Sequence, residues 1–427
     1  MKLPMHWRIF IGLALGACLG LLARAFLEPQ AVEWAAVRVA QPVGQIFIRL
    51  IFMAVMPLVV SALILGTAEI GDAGKVGRIG FKTLVFTLLF STLAVLIGVA
   101  GVRLVKPGEG LSSEGRERLM RTLQGGLGVA APVENARKAK GLTQALVELI
   151  PRNPLASAVN ALEGGLLPLM VFSLIVGLAM SALEEERTRA LKELLTSLSA
   201  VMLKVIGFAM TLAPLGVAGL LFSVTATVGA EALALLMKYF FLVLAALALH
   251  ALVVYSAAVY AFARRSPLGF FRDISGVMLT AFATSSSSAT LPVSLKAAQE
   301  ELRIPRPIAN FVLTIGATAN QNGTALYEGV TVLFLAQFFG VALTLSQQFT
   351  VVLWSVMAGV GTAGVPGGSL PLIVIVLQSI GIPGEAIGII LGVDRILDMS
   401  RTVVNVAGDL AIAACVAGPE SREAARF

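Results

Sequence analysis

The most informative stretch of the sequence is Asp394-Arg395-Ile396-Leu397-Asp398-Met399-Ser400-Arg401-Thr402-Val403-Val404-Asn405-Val406-Ala407-Gly408-Asp409. On a helix, five of its polar side chains share one face because they are spaced by three or four residues: Asp394, Asp398, Arg401, Asn405 and Asp409. The flanking segments 387–393 and 410–416 are almost wholly apolar, which indicates a helix inside a membrane. Charges at bilayer depth are costly unless they face a protein interior or a water-filled cavity. The stretch therefore predicts a functional site rather than a structural ladder of ion pairs.

The composition assigns the whole chain to a membrane. Its mean hydropathy is +0.89, 57% of its residues are hydrophobic and 13% are charged, about half the charged share of soluble proteins. The 427 residues can hold roughly eight to ten spans of about 20 residues each. Most basic residues behind the net charge of +7 stand in loops beside apolar segments, as the positive-inside rule describes. The charge therefore does not indicate nucleic-acid binding.

Cysteine and histidine indicate neither a disulfide framework nor a transition-metal site. Cys18 and Cys415 lie in apolar segments far apart in the sequence, and His6 and His250 have no ligand-spaced partners. The apolar run near the N-terminus is long and lacks a clear cleavage site, so we expect a retained first span rather than a signal peptide. Basic residues beside that run place the N-terminus in the cytoplasm.

Apolar runs, basic loops and Pro or Gly stops predict an all-helical polytopic protein with eight spans and two re-entrant hairpins. The predicted segments are 1–82 (spans one and two), 83–105 (span three), 106–150 (an extracellular polar loop leading into span four), 151–227 (spans four and five), 228–265 (span six), 266–303 (first hairpin), 304–340 (span seven), 345–383 (second hairpin), 384–418 (span eight) and 419–427 (a cytoplasmic tail).

The two hairpins are predicted from polar or glycine-rich interruptions of apolar segments. The first interruption runs over 284–292, with six hydroxyl side chains and a proline, and the second over 359–369, with repeated glycines. Neither pattern continues a lipid-facing helix, but both suit a backbone that lines a cavity. Each hairpin precedes a span with its own polar residues, Asn320-Gln321-Asn322-Gly323-Thr324 in the first case and the acidic helix in the second. Two such units in series are typical of an inverted-repeat transporter.

The polar residues of these segments suit a zwitterion with a second carboxylate. Arg401 can hold a carboxylate with its planar fork, and Asp398 offers the opposite charge to an ammonium group. The hydroxyl-rich hairpin tip supplies N–H groups for another carboxylate, helped by the positive end of a half-helix. Asn405, Asp409 and carbonyls near Gly316 and Asn320 are hard oxygen ligands, which suit a hard cation.

Four motifs identify a resemblance to a known family. They are Ser285-Ser286-Ser287-Ser288-Ala289-Thr290-Leu291-Pro292, Asn320-Gln321-Asn322-Gly323-Thr324-Ala325-Leu326-Tyr327, Gly361-Thr362-Ala363-Gly364-Val365-Pro366-Gly367 and the segment 398–409 quoted above. In this order and spacing they resemble the signatures of the dicarboxylate/amino acid:cation symporter family. The resemblance covers essentially the whole chain and is densest after residue 265.

The resemblance implies a homotrimer that works as an elevator. Spans one, two, four and five would form a scaffold, and span three, spans six to eight and both hairpins would form the moving transport domain. The implied substrate-binding residues are Ser286, Ser287, Thr324, Val365, Asp398, Arg401, Thr402 and Asn405. The implied sodium ligands are Gly316, Asn320, Asn405 and Asp409 at one site, and Thr318, Gly359, Val360 and Thr362 at another.

The chain departs from the family pattern at positions that bear on coupling. Gln321 and Asn322 replace a thioether and a carboxylate, and Phe90 precedes Ser91 where the family has a hydroxyl. The third sodium site of the family uses that acid and that hydroxyl, so fewer than three sodium ions are expected. Glu328 stands where animal members have a glutamate linked to proton transport. It is the candidate proton carrier, and its alternative is a solvated or hydrogen-bonded residue with no transport role.

A second departure concerns the charges beside the substrate. The first hairpin has Ser285 where some family members carry an arginine. Arg395 stands on the last helix instead, and we expect it to take over the interaction of that arginine with Asp398.

The sequence therefore predicts a secondary transporter, not an enzyme, that imports glutamate or aspartate by cation symport, with Na⁺ as the expected ion and H⁺ as the alternative. The rival hypotheses are a proton-coupled glutamate symporter, a C4-dicarboxylate symporter, and an anion channel or substrate receptor on the same fold. Asp398 argues against a dicarboxylate because its carboxylate would repel an anion that has no ammonium group. The expected location is the plasma membrane, in bacteria the inner membrane, with membrane lipids as neighbours and both termini cytoplasmic.

Overall fold

A computed structural model of the chain describes residues 5–76, 78–111, 114, 150–159, 166–227, 229–361, 369–380 and 382–418. These residues form helices joined by short connections, and no strand occurs among them. Of the predicted polar loop at 106–150, only 106–111, 114 and 150 belong to this part of the chain, and the predicted tail at 419–427 lies outside it. The all-helical prediction is confirmed for the described ranges.

The described ranges contain seventeen α-helices, numbered in chain order. They are α1 (Met5–Phe26), α2 (Pro29–Ala35), α3 (Gln41–Val76), α4 (Arg78–Val105), α5 (Pro154–Val159), α6 (Leu166–Ser181), α7 (Glu185–Thr227), α8 (Ala230–Leu249), α9 (Ser256–Phe262), α10 (Pro267–Asp273), α11 (Ser275–Thr284), α12 (Ser287–Glu300), α13 (Arg306–Ala319), α14 (Asn322–Phe338), α15 (Leu345–Gly361), α16 (Leu370–Ser379) and α17 (Leu391–Ala417). Ala36–Ala40 and His250–Tyr255 are π-helical, and Gly384–Ile389 is a 3₁₀-helix.

Within the described ranges, three helical segments are long and apolar enough to cross a membrane: Ile79–Val105, Ala230–Phe262 and Leu391–Ala417. A fourth candidate is the pair Glu185–Ala209 and Thr211–Thr227, bent by 53°. Pro214 lies just after the bend, where its ring crowds the carbonyl four residues earlier and removes one helical hydrogen bond. The expected eight spans and their boundaries remain predictions.

The helices pack in two groups. α7 contacts α1 and α3, and α3 also contacts α6. The other group surrounds α17, which contacts α8, α11, α12, α13 and α14. The division of the spans into a scaffold and a transport domain, and the motion between the two, remain predictions. Of the apolar 18-residue window of α17, 89% is buried, against 44% in each of the other two long spans. α17 is therefore the central helix of its group.

The first predicted hairpin is interrupted over fewer residues than the sequence indicates. α11 ends at Thr284 and α12 begins at Ser287, so only two residues are non-helical where we expected nine. Ser285 takes the left-handed conformation with φ 51°, and the Ser286 hydroxyl caps α12 by accepting the Ala289 N–H at 3.2 Å. The cap restarts the helix immediately, and Pro292 lies inside α12 without ending it.

The second hairpin and span seven meet where both helices stop. α15 continues through 359–361, which we had expected to be non-helical, and 362–368 lie outside the described residues. α13 and α14 are separated at Asn320 and Gln321, as the sequence predicts. The Gln321 N–H donates to the Gly359 carbonyl at 2.9 Å. A donor at a helix break thus pairs with a carbonyl that a helix end leaves free.

Candidate functional site

The polar face of α17 lies inside the protein. Its five side chains are almost fully covered: Asp394 is 7% exposed, Asp398 4%, Arg401 2%, Asn405 2% and Asp409 4%. They meet groups on neighbouring helices instead of lipid. Because a buried charge without a partner is strongly destabilising, the partners of these side chains decide what the site can do.

Arg401 is neutralised by carboxylates of its own helix. Its Nη2 and Nε atoms donate to Asp398 Oδ1 at 2.6 and 3.1 Å. Its Nη1 atom lies 3.6 Å from Asp394 Oδ1, and among the described residues Nη1 has no hydrogen-bond acceptor. Since a guanidinium has five N–H donors, Arg401 retains donors for the carboxylate of a ligand.

Tyr327 on α14 holds both Arg401 and Asp394. Its ring centroid lies 4.2 Å from the Arg401 Cζ atom, within the range of a cation–π interaction. Its hydroxyl donates to Asp394 Oδ1 at 2.6 Å. Sequence analysis assigned no role to this tyrosine, although it is the last residue of the second motif. The feature of the sequence that could have indicated its role is its position, seven residues after the predicted helix break at Asn320.

Asp398 lies between two arginines. Its Oδ2 atom is 3.4 Å from Arg395 Nη1, while Oδ1 receives Arg401. The contact expected between Arg395 and Asp398 is therefore present. One turn later, the Thr402 hydroxyl donates to the main-chain carbonyl of Asp398 at 2.7 Å. Two cations on one carboxylate fix its orientation, and an ammonium group that binds Asp398 competes with them for its oxygens.

Asn405 is bonded to the break between α13 and α14. Its Nδ2 atom donates to Gln321 Oε1 at 2.5 Å and to Thr324 Oγ1 at 3.1 Å. Its Oδ1 atom accepts the N–H groups of Gly323 and Thr324 at 2.8 and 3.3 Å. α17 is thereby attached to the first turn of α14, and the predicted substrate residues Thr324 and Asn405 lie together.

Two of the other three residues expected at the first sodium site, Gly316 and Asn320, lie against the carboxylate of Asp409. Asn320 Nδ2 donates to Asp409 Oδ1 at 2.6 Å. A Cβ atom on Gly316 would lie 2.5 Å from Asp409 Oδ1, so only glycine lets the carboxylate approach the α13 backbone this closely. The Gly316 carbonyl remains helical and accepts the Asn320 N–H at 3.0 Å. A buried carboxylate beside helix-end carbonyls is an oxygen environment that suits a hard cation.

The second expected sodium site is described only in part. Gly359 lies at the break, because its carbonyl accepts the Gln321 N–H. Thr318 belongs to α13 and Val360 to α15. Thr362 of this site and Val365 of the substrate set lie outside the described residues.

An aromatic cluster lies beside Asn322, at one of the positions that the resemblance connects with a third sodium site. Asn322 Oδ1 receives the Tyr255 hydroxyl at 2.9 Å. Phe90 is 1% exposed, and its ring centroid lies 5.3 Å from that of Tyr255. The position thus holds a neutral amide and two aromatic rings, and the Tyr255 hydroxyl that lies there donates to Asn322. Tyr255 was not predicted from the sequence, and it belongs to the π-helical segment His250–Tyr255.

The remaining predicted residues are also buried. Ser286 and Ser287 at the start of α12 are 6% and 3% exposed, and Gln321 Nε2 lies 3.5 Å from Ser287 Oγ. The tip of the first hairpin is therefore next to the α13–α14 break. Glu328 is fully buried in α14, so the alternative of a solvated glutamate is wrong, whereas a hydrogen-bonded glutamate remains open.

Comparison with known proteins gives one family for almost the whole chain. Residues 5–418 match the model of the sodium:dicarboxylate symporter family. The chain is 34% identical over 415 residues to the proton/sodium-glutamate symport protein of Bacillus subtilis, with 97% of this chain and 92% of the relative covered. It is 33% identical to the proton/glutamate-aspartate symporter of Escherichia coli, covering 96% and 91%. It is 30% identical to excitatory amino acid transporter 4 of the rat, covering 97% and 84%.

Proposed function

Because this chain belongs to the sodium:dicarboxylate symporter family, a family of membrane transporters rather than enzymes, we propose that it imports acidic amino acids, glutamate or aspartate, by cation symport. The observation that carries the proposal is the buried pair of Arg401 and Asp398, joined at 2.6 Å. The names of the Bacillus and Escherichia relatives, which specify glutamate or glutamate and aspartate, support the same substrate class.

Substrate binding exchanges this internal ion pair for two external ones. The side-chain carboxylate of the amino acid takes the guanidinium of Arg401, and its ammonium group takes Asp398. Because the substrate carries both an ammonium group and a second carboxylate, Arg401 and Asp398 each keep a partner of opposite charge. The exchange therefore avoids the penalty of an unpaired buried ion. Ser286, Ser287, Thr324, Val365, Thr402 and Asn405 complete the proposed site.

Sodium enters the proposal as a co-transported substrate. Gly316, Asn320, Asn405 and Asp409 form one proposed site, and Thr318, Gly359, Val360 and Thr362 form the other. Asp409 supports the first, because its carboxylate is buried at the helix break and a bound cation would compensate its charge. The relatives are named as proton or sodium symporters, and sodium is the proposed ion here because of these oxygen ligands.

We assign fewer than three sodium ions to each substrate. Asn322 is a neutral amide bonded to Tyr255, and Phe90 offers no oxygen. A cation desolvated beside an amide without compensating charge binds poorly. Glu328 on α14 is the proposed proton carrier, because it is an acid buried within the same group of helices.

The proposed assembly is a homotrimer with eight spans and two re-entrant hairpins in each protomer. α1–α3 and α5–α7 would form the scaffold, and α4 and α8–α17 would move as the transport domain. The packing of these helices in two groups supports the division. The mass of the purified complex tests the trimer, and a dimer or monomer would contradict it.

Radiolabelled uptake into proteoliposomes, with sodium and proton gradients imposed separately, tests the function. Saturable uptake of aspartate or glutamate driven by sodium supports the proposal. Uptake driven by protons alone would favour the proton-coupled alternative, and preference for succinate or malate would favour a C4-dicarboxylate carrier. Current without concentrative uptake would indicate an anion channel, and binding without flux would indicate a receptor.

A further inference from the structure

Three exposed arginines lie on the two connections that enclose the first hairpin. Arg264 follows α9, Arg303 follows α12, and Arg306 is the first residue of α13. The guanidinium of Arg265 donates to the Leu302 carbonyl, so the connection that carries Arg264 meets the one that carries Arg303. We call Arg264, Arg303 and Arg306 the arginine patch.

The arginine patch has no acidic partner within the described part of the chain. No ion pair there includes any of its three members. The neighbouring Arg272 and Lys296 are paired instead, with Asp273 at 3.7 Å and with Glu300 at 3.8 Å. Glu301 is exposed on the same connection as part of the patch and can offset one of the three charges at most. The patch therefore presents an excess of positive charge to its surroundings.

The local backbone gives no reason for arginine at these positions. Arg264 and Arg303 have φ angles of 48° and 49°, in the left-handed region that favours glycine or asparagine over long side chains. Arg306 begins α13, whose first turn contains no acidic residue, and a cation there meets the positive end of the helix dipole. Since the three side chains do not stabilise the backbone that carries them, a role in contact with something outside the fold is favoured.

The arginine patch lies where a membrane span ends. The apolar segment Ala230–Phe262 is long enough to cross a membrane, and Arg264 follows two residues after its last residue. Tyr260 and Phe262 are 71% and 52% exposed, which is typical of aromatic side chains near the lipid headgroups. Leu268, on the other side of Arg264 in the sequence, is 85% exposed. The patch is thus flanked by exposed apolar side chains at the level of the membrane surface.

We propose that the arginine patch binds the phosphate groups of anionic phospholipids. Guanidinium groups hold phosphate oxygens through paired N–H donors. Basic residues beside the end of a span face the cytoplasmic leaflet, which carries the anionic lipids. The exposed aromatic and leucine side chains favour a lipid over an acidic protein segment, because a lipid offers acyl chains as well as charge. This binding surface involves none of the proposed substrate or sodium ligands.

The experiment measures the binding of dioleoyl-phosphatidylglycerol to the full-length protein in neutral detergent by native mass spectrometry. Dioleoyl-phosphatidylcholine, which has the same acyl chains and no net charge, is the reference lipid. The patch variant is Arg264→Asn/Arg303→Asn/Arg306→Gln. Asparagine is used at the two left-handed positions because it tolerates that backbone conformation, so the variant keeps the geometry of both connections.

The control variant removes the same number of positive charges from another exposed stretch. It is Arg187→Gln/Arg189→Gln/Lys192→Gln on α7. Two of these side chains already have acidic partners, Arg187 with Glu184 at 3.4 Å and Arg189 with Glu193 at 2.9 Å. A loss of net charge alone therefore affects the control variant and the patch variant equally.

We expect the patch variant to bind phosphatidylglycerol about a hundredfold more weakly than the wild type, since a basic side chain at a lipid surface contributes about fivefold. Its binding of phosphatidylcholine stays the same, and the control variant keeps the wild-type affinity for both lipids. Wild-type affinity in the patch variant, or equal losses in the two variants, would refute lipid binding by the patch. Displacement of phosphatidylglycerol by an equal concentration of inorganic phosphate would also overturn it, because the patch would then be a site for free anions.

If the patch variant does not fold, Arg306→Gln takes its place, because it changes one exposed side chain at the start of a helix. The expected loss of phosphatidylglycerol affinity is then about fivefold, and Arg189→Gln is the matched control. An unchanged affinity in Arg306→Gln, or the same loss in both single variants, would contradict the proposal.

Discussion

The Tyr327 hydroxyl donates a 2.6 Å hydrogen bond to Asp394 Oδ1, and the ring of the same tyrosine covers the guanidinium of Arg401 at 4.2 Å. One side chain of α14 thus fixes a carboxylate and an arginine of α17 at once. Asp394 in turn lies 3.6 Å from Arg401 Nη1. The orientation of Arg401 therefore depends on Tyr327 of a second helix. Its importance for binding can be tested by changing Tyr327 and leaving Arg401 as it is.

Tyr327→Phe should weaken the binding of aspartate and glutamate about tenfold, which corresponds to one hydrogen bond to a charged group. The ring and its contact with Arg401 remain, but Asp394 loses its donor. Dissociation constants measured by calorimetry check the effect. The control is Tyr260→Phe on α9, which removes the hydroxyl of a side chain that is 71% exposed. Equal losses in the two variants would refute a specific role for Tyr327.

Arg401→Cys should abolish uptake of acidic amino acids and leave uptake of a neutral amino acid such as serine. Truncating one partner of a buried charge pair costs about 2–5 kcal/mol, and only the acidic substrate needs the guanidinium. Competition by unlabelled serine and aspartate against labelled serine measures the switch. Arg103→Cys, which removes an exposed guanidinium bonded to Gln348, serves as the control. Unchanged affinity for aspartate and glutamate would rule out this assignment.

Asp398→Asn should lose amino acid binding while succinate or malate binding changes less. The carboxylate is the proposed partner of the ammonium group, and the dicarboxylates have no such group. Binding is measured on protein that elutes at the wild-type oligomeric size, so that misfolded material is excluded. If amino acid affinity survives intact, the zwitterion hypothesis is wrong.

Gly316→Ala should lower the apparent affinity for sodium and leave substrate binding intact at saturating sodium. The added methyl group would lie 2.5 Å from Asp409 Oδ1 and push the carboxylate away from the α13 backbone. Sodium titrations of aspartate binding measure the shift. Gly276→Ala in α11 is the control, because its added methyl group has no atom within 4 Å. Identical sodium titrations in both variants would argue against a sodium site at Asp409.

Reversal potentials in proteoliposomes should give fewer than three sodium ions for each substrate. The aromatic cluster of Phe90 and Tyr255 and the neutral amide of Asn322 are the physical reason. Glu328→Gln should remove the dependence of uptake on an imposed proton gradient. Three coupled sodium ions would contradict the loss of the third site. Uptake that does not depend on pH in either the wild type or Glu328→Gln would exclude the proton as a coupling ion.

Periodicity accounted for the parts of the site that lie on one helix. The spacing of Asp394, Asp398, Arg401, Asn405 and Asp409 predicted a single polar face, because α17 is a regular helix whose five polar residues are all buried. The break at Asn320 and Gln321 was equally visible from its run of amides. The contacts between helices were not visible, since spacing within a segment carries no information about which side chain of another segment it meets. Tyr327 and Tyr255 were missed for that reason.

The residue preferences of single segments also gave a wrong prediction where a helix cap had the stronger effect. Six hydroxyls and Pro292 suggested a long non-helical tip, yet the Ser286 cap restarts the helix after two residues. In the same way, the glycines at 359–361 permit a turn without requiring one, and helix α15 continues through them.

The enclosure of α17 by helices of its own group has a consequence for the energy of movement. Its carboxylates are solvated by protein dipoles, the Tyr327 hydroxyl at Asp394 and the Asn320 amide at Asp409. If the group moves as a unit, these dipoles travel with the charges they stabilise. The desolvation free energy of these ions is then part of folding and of ligand binding, and it does not recur each time the group crosses the membrane. The barrier to crossing would come from sliding apolar surfaces, such as Gly392 against Leu13 and Leu221.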